Sequence, residues 1–135
     1  MKSKYAFVGL ALVVAGPALA DPSGEWRVQD GKATVRIHKC GGDAMCGSIA
    51  SVTGTPGRDE HNPNPALRNR SVIGLQVLNG MRPAGPGTWA GPIYNAEDGQ
   101  QYSGKLSLVS EQQLRLEGCV PGGGLCGEET WSRVR

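Results

Sequence analysis

The chain has 135 residues, with 14 basic and 12 acidic side chains and a formal net charge of +2. Lys2 and Lys4 carry the whole of that excess, so the remainder of the chain is balanced. A balanced chain lacks the basic surface of a nucleic-acid-binding protein and is not attracted to anionic lipids, so we expect neither partner.

Residues 1–20 have the pattern of a bacterial export leader. The two lysines precede an apolar run, Ala6–Ala15, which is followed by a Gly-Pro break and a small-x-small sequence that ends at Ala20. This order predicts a signal peptide cleaved after Ala20. The apolar run has about half of the ~20 residues that a membrane span needs. We therefore predict a single exported domain, residues 21–135, that is periplasmic or secreted and has no membrane span.

All four cysteines follow the predicted leader, and four cysteines in an oxidising compartment predict two disulfides. Three pairings are possible. Two short glycine-containing segments are each flanked by cysteines, and a hairpin brings such residues within bridging distance. This spacing favours Cys40–Cys46 and Cys119–Cys126 but leaves the other pairings open. A zinc site is the alternative, although these loops are longer than the usual spacing of zinc-binding cysteines.

Short alternating segments separated by turn residues predict an all-β domain with no convincing helix after the leader. Ile73, Leu75 and Val77 show the alternation, and Asp30-Gly31 predicts a two-residue type I′ turn. Mostly short links favour an antiparallel, up-and-down barrel that closes its own edges, and a two-sheet sandwich is the alternative. The sequence predicts about eight strands: Glu25–Gln29, Ala33–Cys40, Cys46–Val52, Val72–Asn79, Thr88–Tyr94, Gln101–Val109, Gln112–Val120 and Leu125–Val134.

One long connection, Thr53–Ser71, interrupts this pattern, and long loops in compact domains are often functional lids. Asn64 and Pro65 predict a helical turn that extends to Arg70, with Asn64 as its N-cap. Arg68 and Arg70 could clamp an anionic group at the mouth of the barrel. Alternatively, these arginines bond the loop's own carbonyl groups and fix the loop to the barrel.

Gly24-Glu25-Trp26, at the start of the first predicted strand, resembles the Gly-x-Trp motif of the calycin superfamily, which includes the lipocalins. In those barrels an arginine of the last strand packs over the tryptophan, and Arg133, beside Trp131, is the matching residue. The resemblance therefore implies that Gly24, Trp26, Trp131 and Arg133 close one end of the barrel.

A closer resemblance covers nearly the whole chain after the leader. It is carried by four blocks, and the ending Thr130–Val134 also fits: Gly24–Trp26 with Val35–Ile37, Cys46–Ile49, Asn62–Arg68 with Gly74-Leu75, and Ile93–Gly99 with Tyr102–Leu106. These blocks are similar to the bacterial exported domain-of-unknown-function family 2147. The resemblance implies a small lipocalin-like barrel in the periplasm and supplies no catalytic residue, since none is established for that family.

Aromatic side chains are further candidates for a ligand site. Trp89 lies in a glycine- and proline-rich stretch and is a candidate for a pocket or its rim, whereas Trp26 and Trp131 are expected in the core. Tyr94 and Tyr102 flank one predicted hairpin. Their hydroxyl groups could serve a ligand, or the rings could simply pack across the strands.

No serine-nucleophile elbow, phosphate-binding loop or zinc-protease motif occurs in the chain, so we expect no enzyme and no cofactor. Metal binding by His38 or Asp59–His61 is not expected, because adjacent residues rarely converge on one ion. We expect a protein that holds a small apolar or amphiphilic molecule in the barrel mouth, under the Asn62–Arg70 loop. The alternative is a filled barrel that contacts an envelope protein through that loop and Trp89, as an interaction or envelope-stress module. A hydrolase whose carboxylates meet only in the folded protein is a third hypothesis.

Overall fold

Eight alternating segments of the sequence form antiparallel strands that close into a barrel. The computed structural model describes residues 21–135, and the predicted leader with its cleavage site lies outside the described residues. β1 pairs with β8 at Trp26–Arg133 and Arg27–Ser132, which removes both edges of the sheet and excludes the sandwich alternative. The strands are β1 Gly24–Arg27, β2 Ala33–Gly41, β3 Ala44–Val52, β4 Gln76–Gly85, β5 Thr88–Asn95, β6 Gln100–Ser110, β7 Gln113–Cys119 and β8 Cys126–Arg133.

Apolar side chains at alternate strand positions point into the barrel and pack together as its core. Two glycines make room for them, because a Cβ at Gly104 would lie 2.1 Å from Cδ1 of Ile93, and one at Gly47 would lie 2.9 Å from Cδ1 of Leu78. The buried core therefore includes side chains from all eight strands: Trp26, Val35, Ile37, Met45, Leu78, Met81, Trp89, Ile93, Leu106, Leu114, Leu116 and Trp131.

The barrel has two different ends, because consecutive links of an up-and-down barrel alternate between them. The links after β1, β3, β5 and β7 surround one end, which we call the mouth. The three remaining turns, with residues 21–23 and the C-terminus, surround the other end, which we call the base. Both favoured disulfides are confirmed: Cys40–Cys46 lies beside a base turn, and Cys119–Cys126 closes the β7–β8 link at the mouth.

The predictions for the start of β4 and for the turn at Asp30-Gly31 are wrong. β4 begins at Gln76 instead of Val72, and Ile73 is 39% exposed instead of facing the core. The chain before β4 is held by a turn, in which Gly74 and Leu75 exchange backbone hydrogen bonds with Ile49. Asp30-Gly31 is not a type I′ turn, because that turn needs positive φ at both residues and only Gly31 has it.

The helical content of the described residues is one 3₁₀ turn, Pro65–Leu67. Asn64 caps it as predicted, since its side chain accepts a hydrogen bond from the Ala66 backbone at 3.0 Å. The turn ends at Leu67 and does not continue to Arg70. Within residues 21–135, no helix has the length and apolar character needed to cross a membrane.

Candidate functional site

A cavity of about 530 Å³ occupies the mouth of the barrel. This volume lies within the range of about 300–1,000 Å³ that is typical of small-molecule sites. Polar residues from the links after β1 and β5, Asp30 and Glu97, stand at its rim. Its inner wall is apolar and is formed by six side chains from six different strands: Val35, Ile49, Leu78, Ile93, Leu116 and Trp131.

Both tyrosines predicted as ligand candidates line this cavity, but their hydroxyl groups are already engaged. Tyr94 donates a hydrogen bond to Asp59 Oδ1 at 2.6 Å, and Tyr102 donates one to Asp98. The bond to Asp98 raises the pKa of Tyr102 above its ordinary value. The rings are therefore available as apolar surface, whereas the hydroxyls serve the surrounding loops.

Arg68 and Arg70 lie outside the cavity, and no residue of Thr53–Ser71 is part of its lining. Arg68 Nε donates to the Asn62 carbonyl at 2.6 Å, and Arg70 pairs with Asp59 at 3.1 Å. These bonds agree with the alternative that the two arginines fix the loop in place, and neither side chain lines the cavity.

The centre of the long loop is the fully buried carboxylate of Asp59. It accepts hydrogen bonds from Tyr94, from Asn62 at 2.8 Å and from Arg70 at 3.1 Å. Burial raises the pKa of the Asp59 carboxyl, but these bonds and the charge of Arg70 outweigh burial and hold it below its usual 3.8. Burial and the bond to Asp59 raise the pKa of Tyr94 to about 12. This cluster, which we call the Asp59 latch, attaches the long loop to β5.

Substitution of Asp59 by asparagine is expected to destabilise the protein by about 2 kcal/mol at pH 7, because a charged acceptor of three hydrogen bonds is lost. A lowered folded pKa means that this stability is present above the ordinary carboxyl pKa and is lost as the pH falls through the folded pKa. Urea denaturation should therefore show a smaller difference in the free energy of unfolding between the wild type and Asp59→Asn at about pH 3 than at pH 7. An equal difference at both pH values would contradict this role.

Trp89 lies at the base, on the side of the barrel away from the long loop. It is buried and lines a smaller cavity of about 190 Å³ with Met45, Pro83 and Thr88. The β4–β5 turn, which Trp89 flanks, and the β3–β4 loop belong to opposite ends of the barrel. One contact surface formed by Trp89 and the long loop is therefore not present.

The Gly-x-Trp motif lies at the base. Trp26 is fully buried, donates from Nε1 to the Pro22 carbonyl at 2.9 Å, and has the Arg133 guanidinium 4.3 Å from its ring centroid. Arg133 also donates to the Ser23 carbonyl at 2.8 Å. A Cβ at Gly24 would lie 2.6 Å from the Arg135 carbonyl oxygen, so the C-terminus can approach only a glycine there. These contacts close the base. Trp131 is not part of them, because it lines the cavity at the mouth.

Glu25, the middle residue of the motif, is buried on the outer side of β1 and joins that strand to its neighbours. It accepts a hydrogen bond from Thr34 at 2.8 Å and pairs with Arg36 and Arg135, each at 3.2 Å. The Thr34 bond, followed by the charges of Arg135 and Arg36, holds the pKa of Glu25 below its usual 4.5 despite burial. Glu25 thus stabilises the β1–β2 pair and the C-terminal segment.

Gly118, Gly127 and Glu129 are among the cavity residues that the sequence analysis did not propose as site candidates. All three share the inward parity of residues that were predicted to be buried: Gly118 follows Leu114 and Leu116, and Gly127 and Glu129 precede Trp131 at intervals of two. The period-2 pattern of strands would have identified them.

Among the described residues, the grouping of potential metal ligands is Glu117 with Cys119 and Cys126. The two sulfurs are bonded to each other, and a disulfide offers no thiolate to a metal. His38 and His61 are both exposed, on β2 and in the long loop respectively. This geometry assembles no metal centre from them.

A closed eight-stranded barrel, with an apolar cavity at one end and an arginine-covered tryptophan at the other, defines a lipocalin-like protein. Residues 24–133 match a family described as "Uncharacterized protein conserved in bacteria (DUF2147)", and the chain belongs to that family. Among solved structures, this barrel is similar to protein HP1028 from the human pathogen Helicobacter pylori, which is described as belonging to the lipocalin family. The match has a TM-score of 0.76 and 25% identity, and covers 86% of this chain and 84% of that one. None of the curated proteins matches the chain.

Proposed function

We propose that this protein is an exported carrier that binds a small, partly apolar molecule in the mouth of its barrel, without catalysis. The observation that carries the proposal is the cavity of about 530 Å³, with an apolar inner wall and a polar rim. Such a combination is typical of sites in which apolar contact supplies affinity and a few polar groups supply orientation. The alternative, a barrel filled by its own side chains, would not retain this space.

Export to the periplasm, with cleavage after Ala20, is part of the same proposal. It is supported by the leader-like order of residues 1–20 and by the two disulfides, which are typical of oxidising compartments. A carrier located there would meet small molecules that cross the envelope.

A cavity-filling variant tests the proposal. A Cβ at Gly127 meets no atom within 4 Å, so Gly127→Leu should place four carbons in the cavity without displacing the backbone. The neutral, apolar dye N-phenyl-1-naphthylamine should bind the wild type with a saturable gain in fluorescence. The variant should bind it about tenfold more weakly or worse, a loss of roughly 1.4 kcal/mol.

Gly57→Leu is the matched control, because a Cβ there also meets no atom within 4 Å and Gly57 lies in the long loop, outside the cavity lining. It should bind the dye as the wild type does. Equal binding by the wild type and Gly127→Leu would show that the dye occupies another surface. Absence of saturable binding to the wild type would contradict a carrier of apolar molecules.

A further inference from the structure

The cavity wall carries charge of one sign. Its lining includes four carboxylates, and within the described part of the chain no lysine or arginine contributes to it: Asp30, Glu97, Glu128 and Glu129. The chain after the leader has balanced charge overall, so this distribution is a property of the site and not of the composition. A cavity lined by one sign of charge attracts ligands of the opposite sign.

Glu129 is the cavity carboxylate that shares the inward parity of Gly127 and Trp131 on β8. It is half-buried on β8, directly opposite Leu116 and two residues from Trp131, all of which line the cavity. Trp131 Nε1 donates a hydrogen bond to Glu129 Oε1 at 2.6 Å, and among the described residues no cation pairs with this carboxylate. Its neighbour Glu128 differs, because it has the opposite, outward parity and its exposed side chain pairs with Arg115 at 3.4 Å.

The space beside Glu129 is created by glycines. Gly118 and Gly127 are partners across β7 and β8, and both line the cavity. At Gly118 the nearest atom to a Cβ would be Tyr102 Cβ at 3.6 Å, and at Gly127 nothing lies within 4 Å. The cavity wall therefore carries no side chain at Gly127, which is the inward-facing position next to Glu129 on the side of the mouth.

We propose that the ligand is an organic cation, an ammonium group carried on an apolar body. Its charged group lies beside Glu129, in the space left by Gly118 and Gly127, on the mouth side of the buried Trp131 ring. Its apolar body contacts the inner wall. A half-buried carboxylate with no cationic partner among the described residues is well suited to an ammonium ion, since it attracts the ion and the apolar surroundings weaken competition from water. This inference rests on the proposed carrier function and specifies its ligand class.

Three octyl compounds that differ only in the charge of the head group test the inference by isothermal titration calorimetry. Octyltrimethylammonium should bind the full chain about tenfold or more tightly than octanol, and octanoate should bind more weakly than octanol. Glu129→Gln keeps the acceptor for Trp131 Nε1 and removes the charge. It should weaken octyltrimethylammonium binding about tenfold and leave octanol binding unchanged.

Glu117→Gln is the matched control, because Glu117 lies on β7 outside the cavity lining and should have no effect on any of the three compounds. Equal affinity for all three compounds, or a Glu129→Gln variant that binds the cation as tightly as the wild type, would overturn the cation inference while leaving a carrier of apolar molecules intact. Failure of all three to bind would overturn the carrier function itself.

Discussion

Replacement of Trp26 by alanine is expected to lower the free energy of unfolding by about 4 kcal/mol, since fully buried tryptophans typically contribute about 3–5 kcal/mol. Trp26 is 0% exposed, bonds the Pro22 carbonyl and supports the Arg133 guanidinium at 4.3 Å. Its removal leaves a large void at the base and deprives Arg133 of the ring it covers. The measurement is urea denaturation followed by far-ultraviolet circular dichroism.

Trp26→Phe separates the hydrogen bond to the Pro22 carbonyl from the packing of the aromatic ring. Phenylalanine retains an aromatic face for Arg133 and much of the apolar volume, but it has no donor for the Pro22 carbonyl. We expect it to destabilise the barrel by about 1–2 kcal/mol, the value of a lost hydrogen bond with partial loss of packing. A loss below about 1 kcal/mol in Trp26→Ala would show that the Gly-x-Trp contacts do not close this barrel.

Replacement of Gly99 by alanine is the second change with a large expected effect, about 3 kcal/mol. Gly99 lies in the β5–β6 link with φ of +71°, and a Cβ there would lie 1.8 Å from the His61 carbonyl oxygen. The clash is with backbone, so the long loop must move away from β5 and strain the Asp59 latch. Thermal unfolding and limited proteolysis within Thr53–Ser71 should both report the change.

Gly31→Ala is the matched control for Gly99→Ala. Gly31 has nearly the same φ, +76°, but a Cβ there meets no atom within 4 Å. It should cost only the left-handed backbone strain, about 1 kcal/mol, and should leave the loop resistant to protease. If both variants lose the same stability and neither exposes the loop, the Gly99–His61 contact does not position the long loop.

The fold was predictable because the deciding signals are local. Alternation of apolar and polar residues gave the strands, and the six- and seven-residue separations of Cys40–Cys46 and Cys119–Cys126 gave the disulfide pairs. The ends of β4 were not predictable in this way. Val77 and Leu78 are both buried, so the alternation is irregular where β4 begins, and Ile73 lies in a turn that backbone bonds to Ile49 determine.

The Asp59 latch could not be predicted from spacing, because its partners meet only through the closed barrel. Asp59 and Tyr94 are 35 residues apart, and nothing in either segment indicates the other. The position of Trp89 could have been derived. In an up-and-down barrel the β3–β4 and β4–β5 links must lie at opposite ends, so a residue beside the second cannot form one surface with the first.

Intact mass spectrometry of the full chain expressed in a bacterium and purified from the periplasmic fraction, the compartment that we propose for it, tests the carrier account most directly. Under denaturing conditions the account predicts a polypeptide that begins at Asp21 and contains two disulfides. Under native conditions it predicts a reproducible additional mass, lost on denaturation, that belongs to a small apolar molecule with a basic nitrogen. A native mass equal to the bare polypeptide, unchanged after addition of periplasmic extract, would contradict a carrier function for the cavity.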